Sequence, residues 1–399
     1  MQRCEIMKSI LFLNHTLGVG GAERVLVNLA NELVNRGYNV TVMTVIDTGI
    51  FKNELSLKVN YRTMFKFPFL NKLTGKSGSL QSDYSITKSV LKKFYEWLWR
   101  NINCRNLYIW YIKEKYDYEI AFLEGVCTKI ISNSNNKKSR KIAWIHIDLI
   151  NERKSDKFYK NIDIERQCYS VFDKIVCVSD FVKKQTIKKL GIEDKKLITI
   201  YNSINVNEII RKANEEKVLN KSKCFSFCTI GRLVAQKGYD RLVSVTKKLI
   251  DEGFKLNVDI IGEGPDYDIL QKRIIENGLK NIVNLLGFKS NPYPYIQSSD
   301  VFISSSRAEG FSTVASEAVI LGKPCIVTDC SGMRELFGIK GEYGYIVENS
   351  EDGIYNGMKA FLMNKRLIEI YGEKSIQNRK RFNIDETIKS FKRNVLNEK

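Results

Sequence analysis

Residues Lys8–Val45 read KSILFLNHTLGVGGAERVLVNLANELVNRGYNVTVMTV. The first seven, Lys8–Asn14, are a short apolar run of the kind a buried strand takes. Gly18-Val-Gly20-Gly21 follows as a glycine-rich turn. Ala22, Val25, Leu26, Leu29, Ala30 and Leu33 then recur at steps of three and four, the period of a helix with one apolar face. Gly37 closes that helix, and Asn39–Val45 is a second strand. Strand, glycine loop, helix, strand is the opening of a parallel α/β unit.

The pattern continues outward. Further strands are expected at Tyr118–Phe122, Lys141–Ile145, Lys174–Val178 and Leu197–Ile200. The polar stretch Asn207–Lys223 interrupts, and a second alternation starts with the apolar run Cys224–Ile230. Helical periodicity from Gly238 to Ile250 leads to a strand at Leu256–Ile261. Then come a helix near Tyr267–Asn277, strands at Val283–Leu286 and Val301–Ser304, a helix near Thr313–Leu321 and a strand at Pro324–Thr328. Residues from Glu351 onward are charged and helical. The spacing predicts two doubly wound domains, 1–205 and 224–375, facing across a cleft and joined by a linker at 206–223. A C-terminal helix, 376–399, has the option of crossing back to the first domain. Ligands of such sheets bind beyond the carboxyl ends of the strands.

Composition limits the function classes. The 399 residues suit two domains, and 43% hydrophobic with 27% charged residues is ordinary globular usage. No apolar run reaches the ~18 residues of a membrane span, and the run Ile10–Leu13 is too short for a signal-peptide core. Nine cysteines without Cys-x-x-Cys spacing read as free thiols in a reducing cytosol. With two histidines, His15 and His146, no zinc-ligand cluster is apparent. The net charge is +19, of which +14 falls on 1–206 and +5 on the rest. A basic half suits polyanions: nucleic acid, anionic lipid or phosphorylated substrates.

Two constellations carry chemistry. Glu309-Gly-Phe-Ser-Thr-Val-Ala-Ser-Glu317 puts one acid on a loop after a strand and a second inside the following helix. Gly310 allows close backbone approach, and Ser312, Thr313 and nearby amides at the helix start favour an anion such as phosphate. An acidic helix start favoured by the helix dipole is an equally good reading of the stretch by itself. Arg232 and Lys237, in GRLVAQKGYD, follow the strand ending at Ile230 and precede a helix. Two cations so placed can flank a diphosphate and neutralise a leaving phosphate; a solvated basic turn is the ordinary alternative. Gly262-Glu-Gly264-Pro265 and Gly287-Phe288-Lys289 are further glycine loops, each also readable as a plain turn.

Taken in this order, the motifs resemble the retaining glycosyltransferases of family 4, with the GT-B fold. The resemblance runs from GVGGAERVLVNLA, WIHID, CVSDFVKKQ at 177–185 and YNSIN at 201–205 to GRLVAQKG, GEGP, LLGF and EGFSTVASEA. It implies that Arg232 and Lys237 hold the donor diphosphate. Glu309 would contact hydroxyls of the transferred sugar near its anomeric carbon, with Gly310, Phe311, Ser312, Thr313 and Val314 around it. Glu317 would bind the ribose, Gly287, Phe288 and Lys289 would meet the base, and Gly20 and Gly21 would close over the phosphates. His146 would lie near the transferred sugar, although a structural strand histidine is also possible. Two departures stand out: Asn202-Ser-Ile-Asn205 replaces the usual inter-domain Asn-Pro or Asn-Gly turn, and Ser312 stands where proline is common.

Other motifs fail. Gly75-Lys76-Ser77 lacks the earlier glycine of a P-loop, where Leu70 stands, and no strand leads into it. Asp266-Tyr-Asp268 resembles a metal-binding acidic pair but reads better as a helix cap after GEGP. Gly18-Val-Gly20-Gly21 lacks a good ribose-binding acid for a dinucleotide, Asp47 being the nearest approximation.

The expected activity is therefore metal-independent, retaining transfer of a hexose or N-acetylhexosamine from a nucleotide-sugar, with UDP the family expectation. No cofactor is implied, since the nucleotide-sugar is a substrate. The acceptor is expected to be a growing lipid-linked cell-surface glycan, with a soluble sugar or small molecule as the alternative. Nucleic-acid binding lacks a supporting motif. Lys88–Lys115 carries a local +5 interleaved with Phe94, Tyr95, Trp97, Trp99, Tyr108, Trp110 and Tyr111, and Phe65–Phe69 lies nearby. Basic residues among Trp and Tyr suit an interfacial helix, so a cytoplasmic protein docked on the inner face of an anionic membrane is expected. Burial of the same aromatics against a sheet is the competing reading.

Overall fold

The computed structural model describes residues 7–18, 20–66, 85–152, 155–216 and 224–398, with side chains of 85–92 outside the description. Gly75-Lys76-Ser77, the Phe67–Phe69 tip and the Lys88 and Lys92 side chains therefore lie outside the described residues.

The apolar runs of the first half pair as parallel strands: β1 (Ser9–Asn14), β2 (Asn39–Ile46), β3 (Asn60–Phe65), β4 (Tyr118–Ala121), β5 (Arg140–Ile145), β6 (Lys174–Cys177) and β7 (Leu197–Thr199). Among the described residues they form one sheet in the order β3-β2-β1-β4-β5-β6-β7. The central strands are buried along nearly their whole length, as parallel strands covered on both faces must be. The helix Gly21–Asn35 lays Val25, Leu26, Leu29, Ala30 and Leu33 into the core, the stripe its spacing predicts.

The second half repeats the design with β8 (Phe225–Ile230), β9 (Leu256–Ile261), β10 (Val283–Leu285), β11 (Val301–Ser304), β12 (Cys325–Thr328) and β13 (Tyr345–Val347), in the order β10-β9-β8-β11-β12-β13. Phe227, Val258, Ile260, Val301, Ile303 and Ile326 form the centre of its core. In each sheet all the pairs are parallel, and the order in which strands are added reverses beside the first strand, at β1/β4 and at β8/β11. Those two places are the topological switch points where such folds bind ligands.

One compact unit runs to Asn202 and takes up the chain again from Asp385; the other is Ser203–Ile384. The helix Ile384–Asn394 packs in the first unit. Phe391 stacks on Phe12 at 6.3 Å and on Trp144 at 6.1 Å. Tyr118 donates its hydroxyl to the Leu396 carbonyl at 2.8 Å, and Glu398 pairs with Lys8 at 2.8 Å.

The structure adds elements that the sequence pattern does not announce. β3 is an edge strand of mixed polarity, and β13 is three residues long. The stretch read as a linker begins with the helix Val206–Ala213, whose cap Asn205 accepts from the Glu208 amide at 3.0 Å; residues 217–223 lie outside the description. The charged tail divides into helices Glu351–Met363, Arg366–Asn378 and Ile384–Asn394. Among the described residues no helix is long and apolar enough to cross a membrane.

Candidate active site

The loops after β8 and β11 meet at the switch point of the second sheet. The β8 loop carries Arg232 and Lys237, and the β11 loop carries Glu309. Lys237 Nζ donates to Glu309 Oε1 at 2.5 Å, and Ser306 Oγ donates to the same oxygen at 2.6 Å. The Glu309 side chain is only 9% exposed, so a charge partner there offsets a desolvation cost of several kcal/mol. Arg232 is exposed and, among the described residues, makes no ion pair.

The two loops are stitched together. Arg307 grips Asp240 with both guanidinium nitrogens, at 2.8 and 2.7 Å, and donates to the Ala235 carbonyl at 2.6 Å. That hydrogen-bonded cation holds the Asp240 carboxyl below its ordinary range. Gln236 Nε2 donates to the Ala308 carbonyl at 2.8 Å, and the Arg307 amide to the Gln236 carbonyl at 2.7 Å. Arg241 fixes the next turn through the Ser305 carbonyl at 2.6 Å and Asn349 Oδ1 at 3.0 Å.

Two glycines make this possible. Gly238 has φ +67°, and a Cβ there would stand 2.1 Å from the Ser305 carbonyl oxygen. Gly262 has φ +145°, and its Cβ would stand 2.0 Å from the Gly231 carbonyl oxygen. GEGP is thus a close approach of the β9 loop to the β8 loop, sealed by the Leu233 amide on the Glu263 carbonyl at 3.0 Å. Gly287 joins the same layer, its carbonyl accepting from the Gly262 amide at 2.9 Å, followed by half-buried Phe288 and Lys289.

The helix Thr313–Ile320 starts just after Glu309. Ser312 caps it, accepting from the Ala315 amide at 3.3 Å. Gly310, Phe311 and Ser312 are buried, and Thr313 and Val314 half-buried. Glu317 faces inward on this helix, with the Tyr293 hydroxyl 3.3 Å from its Oε1. The Asp266 side chain does not make the cap bond expected of it, although the residue does occupy the cap position of Tyr267–Glu276. Among the described residues no group of three or more His, Cys, Asp or Glu side chains could hold a metal ion.

Residues 19–208 match the family description "Glycosyltransferase Family 4", and residues 210–378 match "Glycosyl transferases group 1". The chain belongs to glycosyltransferase family 4. This glycosyltransferase is 27% identical over 380 residues to the N-acetylgalactosamine-N,N'-diacetylbacillosaminyl-diphospho-undecaprenol 4-alpha-N-acetylgalactosaminyltransferase of Campylobacter jejuni, covering 94% of this chain and 96% of that one. It is 26% identical over 232 residues to the lipopolysaccharide 1,6-galactosyltransferase of Salmonella typhimurium, covering 54% of this chain and 60% of the relative. The crystal structure of Anabaena Alr3699/HepE with UDP and glucose superposes with a TM-score of 0.72 at 18% identity, covering 98% of this chain and all of the other. The fold of the glycosyltransferase is GT-B.

In the first unit of the glycosyltransferase, His146 directly follows β5. Its ring lies 4.8 Å from Phe122 and stacks on Trp144 at 6.1 Å. Among the described residues its buried Nε2 has no hydrogen-bond partner, and burial pushes the imidazole down to about 3, so it is neutral near pH 7. His15, after β1, is likewise pushed down by burial, to about 4, and its Nε2 lies 2.6 Å from the Tyr95 hydroxyl. Gly20 is the cap residue of the helix that begins at Gly21. Its φ of −161° is extended backbone, so no conformational need for glycine exists there.

The basic aromatic segment splits. Trp99 and Tyr108 are buried and Tyr95 is half-buried. Phe94, Trp97, Leu98, Ile109 and Trp110 are exposed, Trp97 by 58% and Trp110 by 64%. Of the seven interfacial aromatics expected from the sequence, Trp99 and Tyr108 are therefore core residues of the helices Ser85–Asn101 and Cys104–Tyr111, Tyr95 and Tyr111 are half-buried, and Phe94, Trp97 and Trp110 are exposed.

Sequence reasoning missed Ser306, the Asp240–Arg307 pair, Arg241 with Asn349, and Tyr293. Ser331 was missed too: it adopts φ +42° and accepts from the Glu309 amide at 3.3 Å. Its unusual backbone would have needed the structure to be seen.

Proposed function

We propose that this glycosyltransferase moves a hexose or N-acetylhexosamine from a UDP-sugar to a growing, lipid-linked cell-surface glycan, retaining configuration and needing no divalent metal. The observation that carries the reading is the meeting of Lys237 and Glu309 at the β8/β11 switch point, with Arg232 exposed on the same loop as Lys237. Arg232 and Lys237 take the donor diphosphate. Glu309 meets the transferred sugar, with Gly310, Phe311, Ser312, Thr313 and Val314 lining its loop and helix start. Glu317 takes the ribose hydroxyls, and Gly287, Phe288 and Lys289 the base. Gly20, Gly21 and His146 are the candidates from the first unit.

In the reaction the bond from the anomeric carbon to the β-phosphate oxygen breaks. Charge develops on the leaving diphosphate and is met by Arg232 and Lys237, whose preorganised cations supply the stabilisation a metal would otherwise give. The acceptor hydroxyl attacks from the face of the leaving group, forms the new C–O bond and passes its proton to the departing phosphate. A neutral His146 can accept or donate a hydrogen bond but adds no positive charge.

The donor choice draws on the UDP and glucose in complex with Anabaena Alr3699/HepE. The acceptor choice draws on the diphospho-undecaprenol in the name of the Campylobacter relative. Exposed Phe94, Trp97 and Trp110, near Lys93, Arg105, Lys113 and Lys115, suit an anionic membrane surface that presents such an acceptor. The test is a panel of UDP- and GDP-sugars with EDTA present, each offered to a polyprenyl-diphosphate-linked saccharide and to the free saccharide. Transfer from a UDP-sugar to the lipid-linked saccharide is expected. Transfer only to the free saccharide contradicts the acceptor, and activity only after manganese is added contradicts the metal-independent chemistry.

A further inference from the structure

Three consecutive serines run from the last residue of β11 into the candidate site, and all three are buried: Ser304, Ser305 and Ser306. Ser305 Oγ donates to the Lys237 carbonyl at 2.9 Å, so it fixes backbone. Ser306 does something different. Its hydroxyl donates to Glu309 Oε1 at 2.6 Å, the same oxygen that Lys237 Nζ holds at 2.5 Å. The direction is fixed, because an ionised carboxylate can only accept. Ser306 is itself anchored: Thr328 Oγ1 on β12 donates to its carbonyl at 2.5 Å, and Ser304 Oγ stands 3.4 Å from its hydroxyl.

The two donors on that oxygen differ in kind. Lys237 is a flexible cation on a loop, and on the reading above it also serves the donor diphosphate. Ser306 is a short side chain and sits two residues past the end of the central strand β11. A diphosphate arriving beside Lys237 competes with Glu309 for the ammonium. We propose that Ser306 is a positioning residue that holds the Glu309 carboxylate in place while Lys237 turns to the diphosphate. This rests on the assignment of Lys237 and Glu309 to the donor. It adds that the ion pair is exchanged on donor binding, and that a neutral hydroxyl keeps the carboxylate aimed at the sugar through the exchange.

The test uses the full-length protein as wild type, Ser306→Ala, Ser306→Thr and Glu309→Ala. Nucleoside diphosphate release from the preferred nucleotide-sugar gives kcat and KM, and calorimetric titration with UDP, then GDP, counts intact sites. Loss of one charge-assisted hydrogen bond predicts a kcat about 10–100-fold lower for Ser306→Ala, with donor KM and the number of binding sites unchanged. Ser306→Thr keeps the hydroxyl and recovers most of the rate. Wild-type kcat in Ser306→Ala overturns the proposal, as does a loss matched by missing binding sites or a Thr variant that binds fully yet is as slow as Ala. If Glu309→Ala is fully active, the donor assignment falls and this proposal with it. If Glu309→Ala is inactive and Ser306→Ala is not, only this proposal falls.

Discussion

Lys237 Nζ and Glu309 Oε1 stand 2.5 Å apart, one from the loop after β8 and the other from the loop after β11. Because Arg307 and Gln236 tie the same two loops together, removing the lysine leaves the framework standing while stripping a buried carboxylate of its cation. Lys237→Ala is therefore expected to lower kcat by about 100-fold or more, the scale of one preorganised donor to a developing anion. Arg232→Ala should do the same without a change in melting temperature, since its side chain is exposed. Steady-state rates of nucleotide release check both, and near-wild-type turnover in a folded variant contradicts the assignment.

The two glutamates should separate by what they disturb. Glu309→Ala is expected to stop transfer while UDP still binds. Glu317→Ala, about one turn into the helix Thr313–Ile320 and beside the Tyr293 hydroxyl, is expected to weaken nucleotide binding first. Calorimetric titration beside the transfer assay distinguishes them; unchanged nucleotide affinity in Glu317→Ala would remove its ribose role.

Stability should fall on mild acidification because of the two histidines. Burial lowers His15 to about 4 and His146 to about 3, against an ordinary value near 6.5. Below pH 6.5 the unfolded chain takes up protons that the native fold refuses until pH nears 4 and then 3. Stability present above 6.5 is thus lost as pH falls, by about 1.4 kcal/mol per pH unit for each histidine. Urea melts between pH 7 and 5 should show this slope, and a His15→Asn/His146→Asn variant should flatten it. An equal slope in that variant contradicts the burial argument.

Membrane docking through the exposed aromatics should be lost in one step. The full chain is expected to cosediment with anionic vesicles at low salt, and a Trp97→Ser/Trp110→Ser variant to stay in the supernatant. Both side chains are exposed, so the fold should not suffer. Wild type remaining in the supernatant with anionic vesicles would count against the membrane surface.

The sequence was most readable where chemistry and periodicity coincide. Parallel strands such as β1 and β8 are nearly continuous apolar runs, and the helix Gly21–Asn35 repeats its apolar residues at helical spacing, so both halves of the fold could be read in order. Arg232, Lys237, Glu309 and Glu317 lie near strand ends and a helix start, places that sequence can locate. β3 and β13 were lost because a mixed edge strand and a three-residue strand have no distinctive period. Asp240 and Ser331 were lost because their importance comes from partners far along the chain: Asp240 meets Arg307, and Ser331 meets Glu309. Ser306 is only three residues before its partner Glu309, but a loop serine has no pattern of its own to single it out. Within Lys88–Lys115, composition did not tell the buried Trp99 from the exposed Trp97, two residues apart on one helix.

On the reading proposed above, the loop after β8 holds a nucleoside diphosphate through Arg232 and Lys237. Calorimetric titration of UDP into the wild type and into an Arg232→Ala/Lys237→Ala variant, both in EDTA, tests it most directly. One UDP is expected to bind per wild-type chain without metal, with binding in the double variant weakened by about 100-fold or more. Equal affinity in the two proteins would contradict it.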